Sequence, residues 1–131
     1  KLAIRLNGTS DLDFSEVYNS FKMVQFYEYT KRVDLAKKLG KLDNVDITFS
    51  KHENHSIESV KYLTDKQINV AVVFDTSKEN IPTEYNGVTV INGDKHDRRF
   101  EDTKGRIVGL SLKGSNKVKQ IARDTGFAVA V

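Results

Sequence analysis

The strongest constraint on this chain is an alternation. Four short apolar runs, "LAIRL", "MVQFYEY", "VDITF" and "INVAVVF", recur at similar spacing, with helical periodicity between them. Each run is of strand length and rich in Val, Ile, Phe or Tyr. Between the first two, Phe14, Val17, Tyr18 and Phe21 fall at i, i+3, i+4 and i+7, and Asp13 with Glu16 has the spacing of a capping box. The next helical segment places Leu35, Ala36 and Leu39 on one face and stops at Gly40, a residue suited to a left-handed C-terminal position. The third places Ile57, Val60 and Leu63 together, with Ser56 as its N-cap.

The order βαβαβαβ predicts an α/β fold: a parallel-rich sheet built from successive βα units joined by right-handed crossovers. Ile4, Phe26, Ile47 and Val72 are expected in adjacent buried strands. "INVAVVF", apolar almost throughout, reads as a central strand covered on both faces. Beyond Phe74 the pattern loosens through a stretch holding the only proline. Then "VTVI", "RIVGLSL" and "FAVAV" read as further strands, and "SNKVKQIARDT" as a helix with Val118, Ile121 and Ala122 on its buried stripe.

At 131 residues, with no linker, repeat or low-complexity tract, the chain reads as a single domain over 1–131. It starts at Lys1 with neither an initiator Met nor an apolar leader, as expected of a processed or trimmed chain or a fragment of a longer one. A charged fraction of 30% and the absence of any run near the ~20 apolar residues of a membrane span suit a soluble protein with no membrane partner, and the absence of cysteine is compatible with the cytoplasm. Zero cysteines exclude disulfides, a thiolate nucleophile and a cluster held by this chain. The net charge of +3 hints at anionic partners but falls short of a dedicated nucleic-acid binder.

Parallel α/β sheets bind ligands at the carboxyl ends of their strands. Small polar residues recur at those points: Asn7, Gly8, Thr9, Ser10 and Asp11 after the first run, Tyr29, Thr30 and Lys31 after the second, Ser50, His52, Glu53 and Asn54 after the third, Asp75 and Thr76 after the fourth. "NGDKHDRRFED" brings Asp94, His96, Asp97, Arg98 and Arg99 close in sequence, and Lys113 and Gly114 follow "RIVGLSL". The same residue types serve turns and caps. "NGTSD" is the first choice for a site, because Gly8 permits close backbone approach while Thr9, Ser10 and Asp11 offer donors and acceptors. Tyr27 and Tyr29 alternate with Glu28, so both tyrosines face one side, as an aromatic surface for a base or as core.

"KHENH" and "GDKHD" mix nitrogen and oxygen ligands, but neither has zinc-motif spacing, and no metal site is expected. No GxGxxG follows a strand and there is no GxxxxGK[ST], so an ordinary dinucleotide or Walker site is not expected and no cofactor is indicated. The Lys and Arg residues of "LKGSNKVKQIAR" are suitably placed for an anion, or equally form the exposed face of their helix. Asp11, His52, Glu53, Asp94 and His96 are the candidate acids and bases, and no pair has a spacing that identifies a reaction.

The combination "IRLNGTSDLDF", "VQFYEYTKR", "DITFSKHEN", "NVAVVF", "VINGDKHDRRFED" and "IVGLSLKG" resembles a group of phage and mobile-element proteins of largely unassigned role. Those proteins resemble radical-SAM-type barrels in broad plan: a cysteine-bearing N-terminal part, then strands ending in a polar "SD" and an aromatic "YTK" motif. The resemblance runs nearly end to end. It implies that these strands form the later half of a partial barrel, possible partners being an N-terminal half or a partner chain. Since this chain has no cysteine, the half that would hold a cluster is either not present or never existed in this protein, and radical chemistry by this chain alone is not expected. It also implies that Asn7, Thr9, Ser10, Asp11, Tyr27, Tyr29, Lys31, Ser50 and Glu53 line a pocket. Two functions compete. One is a domain that binds a polar, anionic ligand, a nucleotide or nucleic-acid end, held by Lys31, Arg99 or Lys113 with Asp94 and Asp97 nearby. The other is a non-catalytic phage factor that binds a host macromolecule. Convergence of the named residues in a concave pocket discriminates the two.

Overall fold

The computed structural model describes residues 2–131, and over them the alternation becomes seven strands and four α-helices. In chain order these are β1 (Ala3–Ile4), α1 (Ser15–Ser20), β2 (Gln25–Thr30), α2 (Val33–Leu39), β3 (Val45–Ser50), α3 (Ile57–Asp65) and β4 (Asn69–Phe74). Then come β5 (Glu84–Tyr85), β6 (Val88–Asn92), β7 (Ile107–Ser111) and α4 (Asn116–Thr125). The strands form one sheet in the order β1-β2-β3-β4-β7-β6-β5, parallel at every step except the β5-β6 hairpin. The expected α/β class is therefore what forms, and the sheet is open, not closed into a barrel.

Handedness explains how the two faces are covered. From β1 to β4 each strand is added on the same side of its predecessor, so right-handed crossovers put α1, α2 and α3 on one face. That face carries Phe26, Ile47, Phe49, Val70, Val72 and Ile107, packed with Tyr18, Leu35, Leu39, Val60 and Leu63. From β6 to β7 the chain moves in the opposite direction. The same handedness then requires the connection 93–106 to cross the other face. Phe100 accordingly packs on Tyr27, with ring centroids 5.9 Å apart, while the neighbouring Glu28 points to the helix side and meets Tyr18. Within this connection Gly93 has no room for a side chain, since a Cβ would stand 2.7 Å from Arg99 Nη1 and 2.5 Å from Val108.

β4 lies between β3 and β7, and Val70, Ala71, Val72 and Phe74 are buried, as expected of the central strand. Other details depart from expectation. Ile4 sits in the right order but on the edge strand, 41% exposed. The capping box does not form: Phe14 is the N-cap residue of α1, while the Asp13 carboxylate accepts the Ser15 backbone N–H at 2.8 Å and pairs with Lys38 at 2.5 Å. Phe21, the last member of the expected stripe, is 56% exposed. Ser56 does cap α3, accepting from the Ser59 N–H at 3.2 Å. Gly40 ends α2 in a right-handed conformation, not a left-handed one; it is small because a Cβ would press within 3.1 Å of Ile68.

The C-terminal "FAVAV" is not a strand: it makes a single bridge, Val129 to Phe74. On α4 only Ala122 is buried, and the expected partners Val118 and Ile121 are 52% and 53% exposed, because the helix packs through its small residue alone. Among the described residues no helix is long and apolar enough to cross a membrane.

Candidate ligand site at the strand ends

A carboxylate buried on the helix side of the sheet shapes this end of the molecule. Glu28 is 1% exposed and accepts from the Tyr18 hydroxyl (2.5 Å) and from the backbone N–H groups of Asn7 (3.0 Å) and Leu6 (3.3 Å). Burial first, then Glu28 itself, pushes the Tyr18 hydroxyl well above the ordinary phenol range. The chain leaving β1 is thus suspended from β2. Asn7, 2% exposed, continues the arrangement: its amide donates to the Leu12 carbonyl at 2.9 Å, and its Oδ1 accepts from the Leu12 N–H at 2.9 Å and the Ser10 hydroxyl at 2.8 Å. Asn7 therefore folds the loop from beneath and does not line its open side.

The loop so held forms one wall of a cavity of about 510 Å³ at the carboxyl ends of β1, β2 and β3. Gly8, Thr9, Ser10 and Asp11 come from the loop, Arg5 from the end of β1, Tyr29, Thr30 and Lys31 from the end of β2, Ser50 from β3, and Asp97 from the 93–106 connection. Asp11 Oδ2 accepts the Lys31 backbone N–H at 2.9 Å, tying the loop to β2, while Oδ1 is buried without a hydrogen-bond partner. Arg5 lies 4.8 Å from the centroid of the Tyr29 ring, a cation–π contact, and the Tyr29 hydroxyl donates to Asp97 at 3.2 Å. Burial pushes the Tyr29 hydroxyl up to about 12, with Arg99 opposing and Asp97 reinforcing the shift.

Of the residues singled out in the sequence, Gly8, Thr9, Ser10, Asp11, Tyr29, Thr30, Lys31, Ser50 and Asp97 converge here. The remainder lie elsewhere. Tyr27 shares the face of Tyr29 but is taken up against Phe100. Glu53 is exposed in the loop before α3, where His52 and His55 contact one another with ring centroids 3.6 Å apart. Asp94 accepts the Ser111 N–H at 2.8 Å and pairs with Lys113 at 2.5 Å, beside β7. Burial works to raise the Asp94 carboxyl, but the hydrogen bonds from Lys113 and Ser111 outweigh it and hold it below the usual range.

Arg99 is 1% exposed, donates to the Gly93 and His96 carbonyls, and stands 3.3 Å from Asp102 without the alignment of a hydrogen bond. Burial raises the Asp102 carboxyl against the opposing Arg99 charge. Arg99 is thus a brace inside the connection and not an open cation. Of the candidate acids and bases only Asp11 faces the cavity. Among the described residues no three His, Asp or Glu side chains are grouped to hold a metal ion.

Sequence reasoning missed Arg5 and Glu28. Arg5 had a signal, a charge inside an otherwise apolar strand-like run. Glu28 had only its position between two tyrosines.

The chain belongs to the gene product 88 family. The gene product 88 match covers residues 1–130, so both walls of the cavity and the connection over the sheet lie within the family's shared extent. Gene product 88 is a phage protein family whose function is unassigned. No curated protein and no solved structure matches the chain.

Proposed function

We propose that this member of the gene product 88 family binds a polar, anionic ligand, a nucleotide or the end of a nucleic acid, in the cavity at the carboxyl ends of β1, β2 and β3. One observation carries the reading. Arg5 and Lys31 both line the cavity, and neither has a carboxylate within ion-pair distance among the described residues. The other two cations singled out, Arg99 and Lys113, are matched to Asp102 and Asp94. Two unmatched cations that share the cavity with the hydroxyls of Thr9, Thr30 and Ser50 suit an anion that needs both charge and directed donors, even with Asp11 and Asp97 in the same wall. The concave grouping favours this reading over a convex surface for a host macromolecule.

The test is a calorimetric screen of nucleotides and short oligonucleotides against the parent, Lys31→Ala and Arg5→Ala. Each substitution should weaken binding about ten-fold or more, the size of one charge-assisted hydrogen bond. For an oligonucleotide, Lys31→Ala should also reduce the salt dependence, as counterion release requires. If neither variant differs from the parent across the screen, the cavity is not the site, and a phage factor that binds a host macromolecule becomes the better reading.

A further inference from the structure

A second cavity lies where the sheet changes the direction in which it grows. The strands β1 to β4 send their connections over the helix-covered face, and the 75–83 segment after β4 does the same, placing Ile81 so close to Gly109 that a Cβ there would meet it at 2.6 Å. The chain leaving β7 runs through α4 to Val129, which bridges Phe74 in parallel on the side of β4 away from β7, so a right-handed crossover takes it over the opposite face. β4 and β7 are neighbours in register through Phe74 and Ser111, and beyond that pair their chains part. Both departing chains are still tied to the Phe74 carbonyl, which accepts from the N–H of Thr76 at 2.9 Å and of Leu112 at 3.0 Å. This is a topological switch point, the place where open α/β sheets form a crevice at their carboxyl ends.

The crevice is present, at about 290 Å³, lined by Asp75, Thr76 and Ser77 after β4, Leu112 after β7, and Lys119 and Arg123 from α4. Arg123 Nε donates to Asp75 Oδ2 at 2.9 Å, which pairs the one carboxylate in the cavity wall with the guanidinium in that wall. The Asp75 N–H donates to the Val129 carbonyl at 2.8 Å, and the Val129 N–H to the Val73 carbonyl at 2.9 Å, so the segment following α4 is fastened to β4. Lys119 remains without an ion-pair partner among the described residues.

We propose that this crevice is a second anion site, separate from the cavity at β1 to β3, and that it takes the phosphate group of a small phosphate monoester. Lys119 supplies the charge, the Arg123 guanidinium its remaining N–H donors, and Thr76 and Ser77 their hydroxyls. A phosphate group alone fills only part of the volume, which equals that of roughly ten water molecules at ~30 Å³ each. The organic part rests against Leu112.

The test follows the backbone amides of the full chain by NMR during titration with glycerol 3-phosphate and, separately, with inorganic phosphate. Saturable shifts at Thr76, Ser77, Leu112 and Lys119 are expected, with the ester binding more tightly than phosphate. Lys119→Gln should weaken the ester about ten-fold, and Lys31→Ala should leave these shifts unchanged. Absence of saturable shifts at these residues would overturn the proposal, as would full retention of affinity in Lys119→Gln. Equal losses from Lys119→Gln and Lys31→Ala would overturn it too, by reducing the effect to the general charge of the protein. Equal affinity for ester and inorganic phosphate would overturn the assignment of a monoester.

Discussion

Replacing Glu28 by Gln should destabilise the protein and loosen the cavity wall together. The carboxylate accepts from one hydroxyl and two backbone N–H groups, all close to or inside the core, and the Asn7 side-chain amide stands 3.5 Å away. An amide keeps the shape but has one accepting oxygen where the carboxylate has two, and its NH2 faces donors. With the amide oxygen in the place of Oε2, the Asn7 N–H is the donor left unpaired, and at ~1–3 kcal/mol for a buried donor without a partner the loss should be about 1–3 kcal/mol, a sizeable share of the ~5–15 kcal/mol typical of a domain. Tyr18→Phe removes a single charge-assisted bond and should cost about 1.5–3 kcal/mol. The two residues touch, so the double variant should lose at least ~0.5 kcal/mol less than the sum of the singles. Urea unfolding of the four proteins at neutral pH measures all three quantities, with a midpoint shift on the order of 1 M for Glu28→Gln. Because Leu6 and Asn7 hang from this carboxylate, amide exchange in residues 6–12 should accelerate in Glu28→Gln beyond the change in global stability. A Glu28→Gln protein within ~0.5 kcal/mol of the parent, or additive single effects, would refute the claim that this bond network holds the loop.

Three further outcomes are expected. Val72→Asp should leave the chain unfolded, since Val72 is 1% exposed and an unpaired carboxylate there has neither water nor partner; a soluble, cooperatively melting variant would contradict that. Tyr29 should ionise near 12, seen as a late component of the ultraviolet phenolate titration that Tyr29→Phe removes. Because folding favours its neutral form, its contribution is complete below the ordinary tyrosine value of ~10 and fades as pH rises from there towards 12. Asp13 is drawn down to about 2, by Lys38 first and Ser15 next, so its contribution is present above ~4 and lost as pH falls through about 2. The pair is largely exposed, and Lys38→Ala should therefore cost no more than ~1 kcal/mol at neutral pH and less near pH 2, read from urea unfolding at the two pH values.

The elements legible in the sequence were those whose apolar period had no competitor. The βα units through β4 were readable because Leu35 and Leu39, Val60 and Leu63, and the unbroken run of β4 admit one arrangement each. Alternation within β2 was also enough to put Tyr27 and Tyr29 on one face. The reading failed where small apolar runs meet no opposing surface. Val118 and Ile121 have helical spacing, and α4 forms, but nothing covers them. "FAVAV" has the composition of a strand, yet it arrives at a sheet in which β4 already has β3 and β7 as neighbours, so it keeps a single bridge past the end of β3. The β5-β6 hairpin lay inside a stretch read as loose. There Asn86 and Gly87, both at positive φ, reverse the chain between strands of two and five residues.

For the candidate site the division is sharper and has a physical cause. Residues that line the cavity, such as Thr9, Ser10, Asp11 and Lys31, were visible because polar side chains after an apolar strand have no local reason to be apolar. Residues that build the cavity were not visible as builders, because Asn7 and Arg99 have the same chemistry as lining residues and differ only in which way the tertiary structure turns them. Asn7 spends its amide on Leu12 and Ser10, and Arg99 spends donors on Gly93 and His96. Glu28 is the clearest case. Strand alternation puts it opposite the two tyrosines, on the side that the right-handed crossover covers with α1. A carboxylate there must find donors or not fold, and it finds them in the chain leaving β1. The loop that carries the candidate site is therefore fixed from the core side by the strand next to it, with Thr9 exposed on the cavity side and Ser10, also exposed, tied back to Asn7.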